Sequence, residues 1–93
     1  MQKNIIVFIL DQLAWKALPV YGNSFVHTPS IDRIADGGLV IDGCYTACPL
    51  CQPSRAAFWT GKYPHETGVL SNGRKWPEKG ISQSLPTLGE IFS

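Results

Sequence analysis

A continuous apolar run near the amino terminus limits the possible folds of this chain more than any other feature. Residues Asn4 to Leu10 are rich in β-branched side chains and lack the alternation of a half-exposed strand. The run predicts a central strand of a parallel sheet, buried on both faces and covered by helices on both sides. Asp11 follows directly, at the edge where open α/β sheets bind ligands. The residue alone leaves two roles open, a metal ligand or the cap of a turn.

Local signals predict a helix and a second strand after this run. Thr28 as the N-cap and Pro29 at the first helical position predict the helix start, and Gly37 predicts its end. We expect the apolar residues of this helix to form one buried stripe, and a short strand to follow it. The stripe comprises Ile31, Ile34 and Ala35, and the strand covers residues 39–45.

The second half of the chain predicts two helices separated by a long loop. The first covers Pro53–Thr60 and ends at Gly61, and residues 62–84, rich in Gly and Pro, predict mostly loop. The order of strand, helix, strand, helix and helix favours the α/β class. These elements are too few to cover both faces of a parallel sheet, so we expect residues 1–93 to be the amino-terminal part of a larger domain. The last helix opens at Leu85 and carries Leu88, Ile91 and Phe92 on one face.

Charge and composition argue against several classes of function. The 93 residues have a net charge of +1 and scattered basic positions, which indicates binding neither to nucleic acid nor to a membrane surface. The apolar stretch Ile5 to Leu10 is far shorter than the roughly 20 residues that span a bilayer. No signal peptide is visible, so the sequence predicts a cytoplasmic protein without membrane contact. The 3 cysteines cannot all pair within one chain.

The most specific pattern is a cysteine beside a helix start. Cys51 stands just before Pro53, the predicted first helical residue, and Arg55 lies in the first turn. The unsatisfied N–H groups of a helix start favour an anion, and an arginine adds a planar fork of donors. The pattern therefore predicts an anion site next to a nucleophile. The alternative is a buried apolar cysteine beside a helix cap.

This pattern resembles the site at which type I sulfatases oxidise a cysteine to formylglycine. The Cys-x-Pro-Ser-Arg motif covers residues 51–55, and the resemblance continues in order over essentially the whole chain. It implies an alkaline phosphatase-like α/β fold with a mostly parallel sheet flanked by helices, of which this chain is the amino-terminal portion. The other matching segments are the strand ending at Asp11, Tyr21-Gly22-Asn23, His27 to Ala35, Tyr45-Thr46, Thr60 to His65, Gly68-Val69 and Leu85 to Leu88.

The resemblance implies roles for individual residues. Cys51 would become formylglycine and contact the metal, and Asp11 would bind a divalent cation, most commonly Ca2+. Arg55 would orient and charge-stabilise the formylglycine hydrate. Asn72 would contact the anionic group of the substrate, although a plain Asn-Gly turn explains this residue equally well. Pro53 and Arg55 would belong to the signal that a formylglycine-generating enzyme reads.

The implied activity is hydrolysis of sulfuric esters, with a sulfate ester small molecule or glycan as substrate. One hydroxyl of the aldehyde hydrate, made more acidic by the metal, would attack sulfur and expel the alcohol. The other would then lose its proton, so that the carbonyl re-forms as sulfate leaves. The family's other metal ligands and its catalytic lysine and histidine lie further downstream, so we expect the 93 residues alone to be inactive. Gln12 stands where many sulfatases have a second aspartate, and its role stays open. For Lys62 and His65 we expect supporting roles.

Three other interpretations remain. Gln12 resembles the branch that contains choline sulfatases and phosphonate monoester hydrolases, so hydrolysis of phosphonate or phosphate esters is the nearest alternative. Cys44, Cys48 and Cys51 have the spacing of a radical S-adenosylmethionine iron–sulfur site, but Leu50 stands where an aromatic residue is usual. Without such a cluster, Cys44 is expected to be a buried strand residue and Cys48 a loop residue. A non-catalytic interaction domain that kept the motifs by descent is the third.

Overall fold

The structure, a computed structural model, describes residues 3–73 and 80–93 and divides into two compact units. The first unit is Met1–Asp42, and the second is Gly43–Ser93. Within the described residues, short 3₁₀ helices and one α-helix make up the first unit, and three α-helices make up the second. The 3₁₀ helices are Trp15–Ala17 and Pro19–Tyr21, and the α-helices are α1 at Pro29–Asp36, α2 at Cys51–Thr60, α3 at Pro64–Thr67 and α4 at Leu88–Ile91.

No residue within 3–73 or 80–93 belongs to a β-strand, so the described chain does not contain the expected parallel sheet. The apolar run that predicted the first strand is exposed, with Ile5 at 78% and Phe8 at 77%. In the second predicted strand, Leu39 is 86% exposed. A strand is defined by a neighbour that accepts its backbone hydrogen bonds, and the described residues supply no such neighbour to either segment. An apolar sequence specifies the tendency to form a strand but not the partner.

The Tyr21-Gly22-Asn23 turn links separate parts of the first unit. The hydroxyl of Tyr21 donates to the carbonyl of Ile41 at 2.9 Å. The amide oxygen of Asn23 accepts from the N–H of Phe25 at 2.8 Å, and its NH₂ group donates to the carbonyl of Lys16 at 3.0 Å. This segment is therefore a structural link, which explains why polar side chains stand in the turn.

Helix α1 confirms the predicted boundaries but not the predicted burial. Thr28 occupies the N-cap position and Gly37 the C-cap position. The hydroxyl of Thr28 does not accept from the helix and instead donates to the Asp32 carboxylate at 3.0 Å. Ile34 is 68% exposed, so the prediction of a buried stripe is wrong for this residue. At Gly38, an added Cβ would lie 2.9 Å from the carbonyl of Ile34, which excludes a side chain there.

Helix α2 is the centre of the second unit and packs against α3 and α4. Its buried residues are Pro53 and Ala56, three positions apart on one face. Thr67 of α3 is also buried, and its hydroxyl donates to the carbonyl of Pro64 and accepts from the N–H of Val69, each at 3.2 Å. These small side chains let α2 and its neighbouring helices approach closely. Because one face of α2 is buried there, its opposite face is exposed.

Two helix starts in the second unit differ from the prediction. Helix α2 begins at Cys51, two residues earlier than predicted, and ends as predicted at Gly61, whose φ of 67° suits a residue without a Cβ. Helix α4 begins at Leu88, three residues later than predicted, because Thr87 is its N-cap. The Thr87 hydroxyl accepts from the N–H of Glu90 at 3.4 Å, and the Glu90 carboxylate accepts from the N–H of Thr87 at 2.7 Å. This reciprocal pair is a capping box.

The loop predicted over residues 62–84 contains one element that the sequence did not indicate. Helix α3 forms at Pro64–Thr67, and residues 74–79 of the predicted loop lie outside the described residues. Pro64 at the first helical position and Gly68, with φ of 76°, at the C-cap set its limits. Among the helices described, none is both long and apolar enough to cross a lipid bilayer.

Candidate active site around Cys51

Cys51 is the first residue of α2, exposed and present as a free thiol. The preceding Leu50 is extended, with φ of −131° and ψ of 142°, so the chain turns into the helix at the cysteine itself. The sequence placed Cys51 just outside the helix and Pro53 at its first position, and both placements are wrong by two residues. The expectation of a buried apolar cysteine is also excluded in the described chain.

The corrected helix start changes the relation between Cys51 and Arg55. The two residues are four positions apart on α2, so they share one face of the helix with Cβ atoms about 5–6 Å apart. Side chains of an α-helix tilt toward its amino terminus, which inclines Arg55 toward the turn that carries Cys51. Both residues are exposed, whereas Pro53 between them is buried. Helix geometry alone therefore brings a thiol and a guanidinium to one surface.

The amino terminus of α2 offers fewer free N–H groups than the sequence suggested. Pro53 has no N–H, and the N–H of Ser54 donates to the carbonyl of Leu50 at 2.9 Å. The N–H of Gln52 donates to the side-chain oxygen of Asn72 at 2.9 Å. Among the described residues, no atom accepts from the N–H of Cys51. The positive end of the helix is therefore open to an anion at Cys51, and Arg55 supplies the full charge.

Asn72 lies at this helix start although it is 20 residues away in sequence. Because a backbone N–H only donates, the amide oxygen of Asn72 must face Gln52, and its NH₂ group stays available as a donor. The sequence left two roles open for Asn72, a substrate contact or a plain turn. The structure adds a third role, a hydrogen bond to the start of α2.

Thr46 ties the loop before Cys51 to the first turn of α2. Its hydroxyl donates to the carbonyl of Cys48 at 2.8 Å and accepts from the N–H of the same residue at 3.3 Å. The Ser54 hydroxyl lies 3.0 Å from the Thr46 oxygen. Because the single proton of Thr46 is used at Cys48, Ser54 is the donor between the two hydroxyls. The sequence analysis missed this contact, since Thr46 and Ser54 appeared only as members of motifs.

Lys62 and His65 make local contacts on the segment after α2. The ammonium of Lys62 lies 3.5 Å from the Glu66 carboxylate, one helical turn on. The imidazole of His65 stacks on the ring of Tyr63 with centroids 5.9 Å apart. The N–H of Tyr63 donates to Glu66 at 3.0 Å, and this bond, together with Lys62, lowers the pKa of Glu66 below 4.5. These contacts agree with the supporting roles expected for both residues.

A cavity of about 430 Å³ lies beside α2, lined by Ser54, Ala57 and Phe58 of the helix and by Thr46 and Lys62 of the flanking loops, among others. Neither Cys51 nor Arg55 is among its lining residues. This cavity is therefore on a different face of α2 from the thiol.

The cysteines do not form the cluster that an iron–sulfur site requires. Cys44, Cys48 and Cys51 are free thiols, and Cys44 is exposed, so its predicted burial in a strand is wrong. Over residues 3–73 and 80–93, no three His, Cys, Asp or Glu side chains are grouped so that they could hold a metal ion. A cubane cluster of the radical type needs three thiolates together, which this arrangement does not supply.

Asp11 belongs to the first unit, directly before a backbone of unusual conformation. It is exposed, and Gln12 has a φ of 58°, in the left-handed region that costs a residue with a Cβ about 1–2 kcal/mol. Backbone strain of this kind often accompanies functional sites. Cys51, Arg55 and Asn72 belong to the second unit, and the meeting of Asp11 with them in one metal site stays a prediction.

Comparison with known proteins identifies the family. The family model for sulfatases matches residues 3–93. The chain is 38% identical over 90 residues to Delta 4,5-hexuronate-2-O-sulfatase of Bacteroides thetaiotaomicron, covering 97% of this chain and 19% of the relative. It is 42% identical over 90 residues to human steryl-sulfatase, covering 90% of this chain and 15% of the relative.

A solved structure agrees with the sequence matches. The crystal structure of a sulfatase-like protein from Bacteroides thetaiotaomicron superposes with a TM-score of 0.71 at 39% identity, over 83% of this chain and 17% of that chain. The chain thus spans less than a fifth of the length of the relatives that it matches. The matches cover the whole sequence around Cys51 and confirm the resemblance read from its motifs: this chain belongs to the sulfatase family.

Proposed function

We propose that this chain supplies the nucleophile and part of the anion site of a sulfuric ester hydrolase. The observation that carries the proposal is the pairing of an exposed Cys51 at the first position of α2 with Arg55 one turn later, within a sulfatase sequence. The helix is oriented by buried Pro53 and Ala56, so the pair faces outward on a supported element. An anionic ester would meet a compensating charge beside the reacting position.

Formylglycine made from Cys51 would supply an aldehyde hydrate as the nucleophile, a chemistry that no unmodified side chain of this chain offers. The exposure of Cys51 at the helix start fits this role, because a hydrated aldehyde needs polar surroundings. Arg55 would hold the hydrate and the sulfate oxygens through paired N–H donors. Asn72 would add its free NH₂ group as a neutral donor to the same anion. The backbone N–H of Cys51 would be a further donor.

A divalent cation, Ca2+ by analogy with the family, would act as a Lewis acid in the complete site. Such an ion takes about six to eight oxygen ligands, and no cluster of three suitable side chains exists among the described residues. By analogy with the family, Asp11 and the modified residue 51 would be two of the ligands. We propose that the others come from sequence beyond these 93 residues. The same sequence would supply the groups that select the leaving alcohol.

The missing sheet has a similar explanation. The run 4–10 and the segment 39–45 expose large apolar side chains that an isolated unit would not keep in water. We propose that both segments pair as strands of an alkaline phosphatase-like sheet in the complete domain. This would bury the apolar run and bring Asp11 to the end of a strand.

The substrate proposed is a sulfate ester of a small molecule or glycan. The relatives include a hexuronate-2-O-sulfatase and an N-acetylglucosamine-6-O-sulfatase, named for sugar sulfates, and a steryl-sulfatase. The sequence shared with all of them is the nucleophile region. These relatives are named for different alcohols, so the similarity supports the type of reaction and does not select the alcohol.

Modification of Cys51 would have to precede folding of α2. A formylglycine-generating enzyme that reads Pro53 and Arg55 needs both side chains, and Pro53 is fully buried in the folded unit. We therefore propose that the partner enzyme acts on the extended chain. A folded protein that still carries the Cys51 thiol would be a poor substrate for that enzyme.

The test uses the intact protein that contains this sequence, purified from its native source. Mass spectrometry of the tryptic peptide 34–55 should show Cys51 converted to an aldehyde that reacts with a hydrazide probe. The same preparation should hydrolyse a chromogenic aryl sulfate faster than the matching phosphonate monoester. A preference for the phosphonate would instead support the alternative activity.

Two variants complete the test. Cys51→Ala should abolish both hydrazide labelling and hydrolysis, because no other group can become the aldehyde. Cys44→Ala is the matched control, since this exposed free thiol lies outside the Cys-x-Pro-Ser-Arg motif. It should retain activity. An unmodified Cys51 in a protein that hydrolyses sulfate esters at full rate would overturn the proposal.

A further inference from the structure

The first turn of α2 lacks a cap of its own. The N-cap residue is Leu50, which has no side-chain oxygen, and no side chain of the helix accepts from its first turn. Asp, Asn, Ser or Thr at this position would usually stabilise the start. The helix that carries the nucleophile therefore depends on contacts from outside for the position of its first residue.

Asn72 supplies the missing cap from a different part of the chain. Its side-chain oxygen accepts from the N–H of Gln52 at 2.9 Å, the bond that an N-cap side chain usually makes. Asn72 stands in a bend next to Gly73, whose N–H donates to the Ser71 hydroxyl at a long 3.4 Å. This bend delivers the amide to the helix from 20 residues away.

The contact acts on Cys51 through the planarity of the peptide bond. The N–H of Gln52 and the carbonyl of Cys51 belong to one rigid unit, so a partner that fixes the N–H direction also fixes that carbonyl. The approach loop is held separately, where Thr46 bonds Cys48 and Ser54. Among the described residues, Cys51 thus lies between two anchored points, and Asn72 reaches its peptide unit from 20 residues further along the chain.

We propose that Asn72 is a positioning residue that caps α2 from outside and sets the orientation of residue 51. The inference deepens the proposed sulfatase function, on which it rests, by giving the oxygen of Asn72 a task distinct from the substrate contact of its NH₂ group. The two ends of one amide then serve two purposes. Its oxygen holds the helix start, and its NH₂ group meets the anion.

The two tasks separate in a pair of variants of the intact protein. Asn72→Ala removes both ends of the amide, whereas Asn72→Asp keeps an oxygen that can cap the helix and removes the donor. Hydrogen exchange at the Gln52 amide should accelerate about fivefold or more in the alanine variant and stay near the wild-type rate in the aspartate variant. Ser71→Ala is the control in the same bend and should leave this rate unchanged.

Kinetics on an aryl sulfate, normalised to the fraction of residue 51 that is converted, give the second measurement. Asn72→Ala should lower kcat about tenfold, because the nucleophile loses its orientation. Asn72→Asp should keep kcat within about threefold and raise KM, because a carboxylate repels the anionic substrate. The alanine variant with unchanged kcat and only a raised KM would overturn the positioning role.

The exchange experiment also stands apart from the proposed function. An unchanged Gln52 exchange rate in Asn72→Ala, or equal acceleration in Asn72→Asp, would overturn the cap whatever the enzyme hydrolyses. Acceleration in alanine alone, in a protein that hydrolyses no sulfate ester, would support the cap and reject the sulfatase proposal. The two failures are therefore distinguishable.

Discussion

Replacing Arg55 by lysine separates the planar fork of donors from the positive charge. Both side chains are cationic, but only a guanidinium gives two parallel hydrogen bonds to a sulfate group. Lysine would keep one of two charge-assisted bonds, each worth about 1.5–3 kcal/mol. The loss of one bond predicts a fall in kcat/KM of about 10- to 150-fold.

Arginine and lysine suit the same exposed helical position. Arg55 is exposed on α2, whereas the residues that seat the helix in its unit are Pro53 and Ala56. Lysine forms helices about as well as arginine, so the first turn should keep its geometry. A variant that melts at the wild-type temperature then reports on the donors and not on the fold.

The assay compares kcat/KM on a chromogenic aryl sulfate for the intact wild-type and Arg55→Lys proteins. Because the formylglycine-generating enzyme is expected to read Arg55, each rate is divided by the fraction of residue 51 that mass spectrometry finds converted. Arg33→Lys, a change of the same chemistry at an exposed position of α1, is the control and should stay near the wild-type rate.

One result would refute the reasoning directly. If converted Arg55→Lys protein hydrolyses the ester at the wild-type rate, the fork of donors contributes nothing to the reaction. If only the conversion of Cys51 falls, Arg55 serves maturation and the catalytic role assigned to it is wrong.

Two further predictions concern the supports of the site. Thr46→Val removes three hydroxyl contacts at a partly exposed place, at about 0.5 kcal/mol each, and should accelerate hydrogen exchange of the Cys48 amide about tenfold. Thr46→Ser should not, and equal rates in both variants would contradict the contact. Hydrogen bonds from the N–H and hydroxyl of Thr87 lower the pKa of Glu90 below 4.5. The carboxylate therefore stabilises α4 fully above pH 4.5, and this contribution is lost as pH falls through the lowered pKa. Glu90→Gln should remove that pH dependence, and an NMR titration giving Glu90 a pKa of 4.5 or higher would contradict it.

Sequence reasoning succeeded where a signal lies within one or two turns of the residue concerned. The limits of α1 follow from Pro29, which cannot donate an N–H, and from the glycines after Asp36. The end of α2 follows from Gly61 in the same way. The motif around Cys51 likewise indicated the family, because the residues that define the motif are adjacent in sequence.

It failed where a partner comes from far along the chain. Helix α2 begins at Cys51 and not at the predicted Pro53, because its first turn is capped by Asn72 and not by a neighbouring residue. The burial of Pro53 and the exposure of Ile34 depend on which surfaces of the chain pack together. An apolar stripe on a helix does not specify the surface that will cover that stripe. The predicted strands fail in this chain for the same reason, since a ladder needs a second backbone.

The sequence by itself determined the family and proposed the residues of the site, because both depend on side-chain type and short spacing. Only the tertiary structure decided that Pro53 is hidden and that the oxygen of Asn72 accepts from the start of α2. Those facts depend on contacts between segments far apart in the chain, whose geometry no local pattern contains.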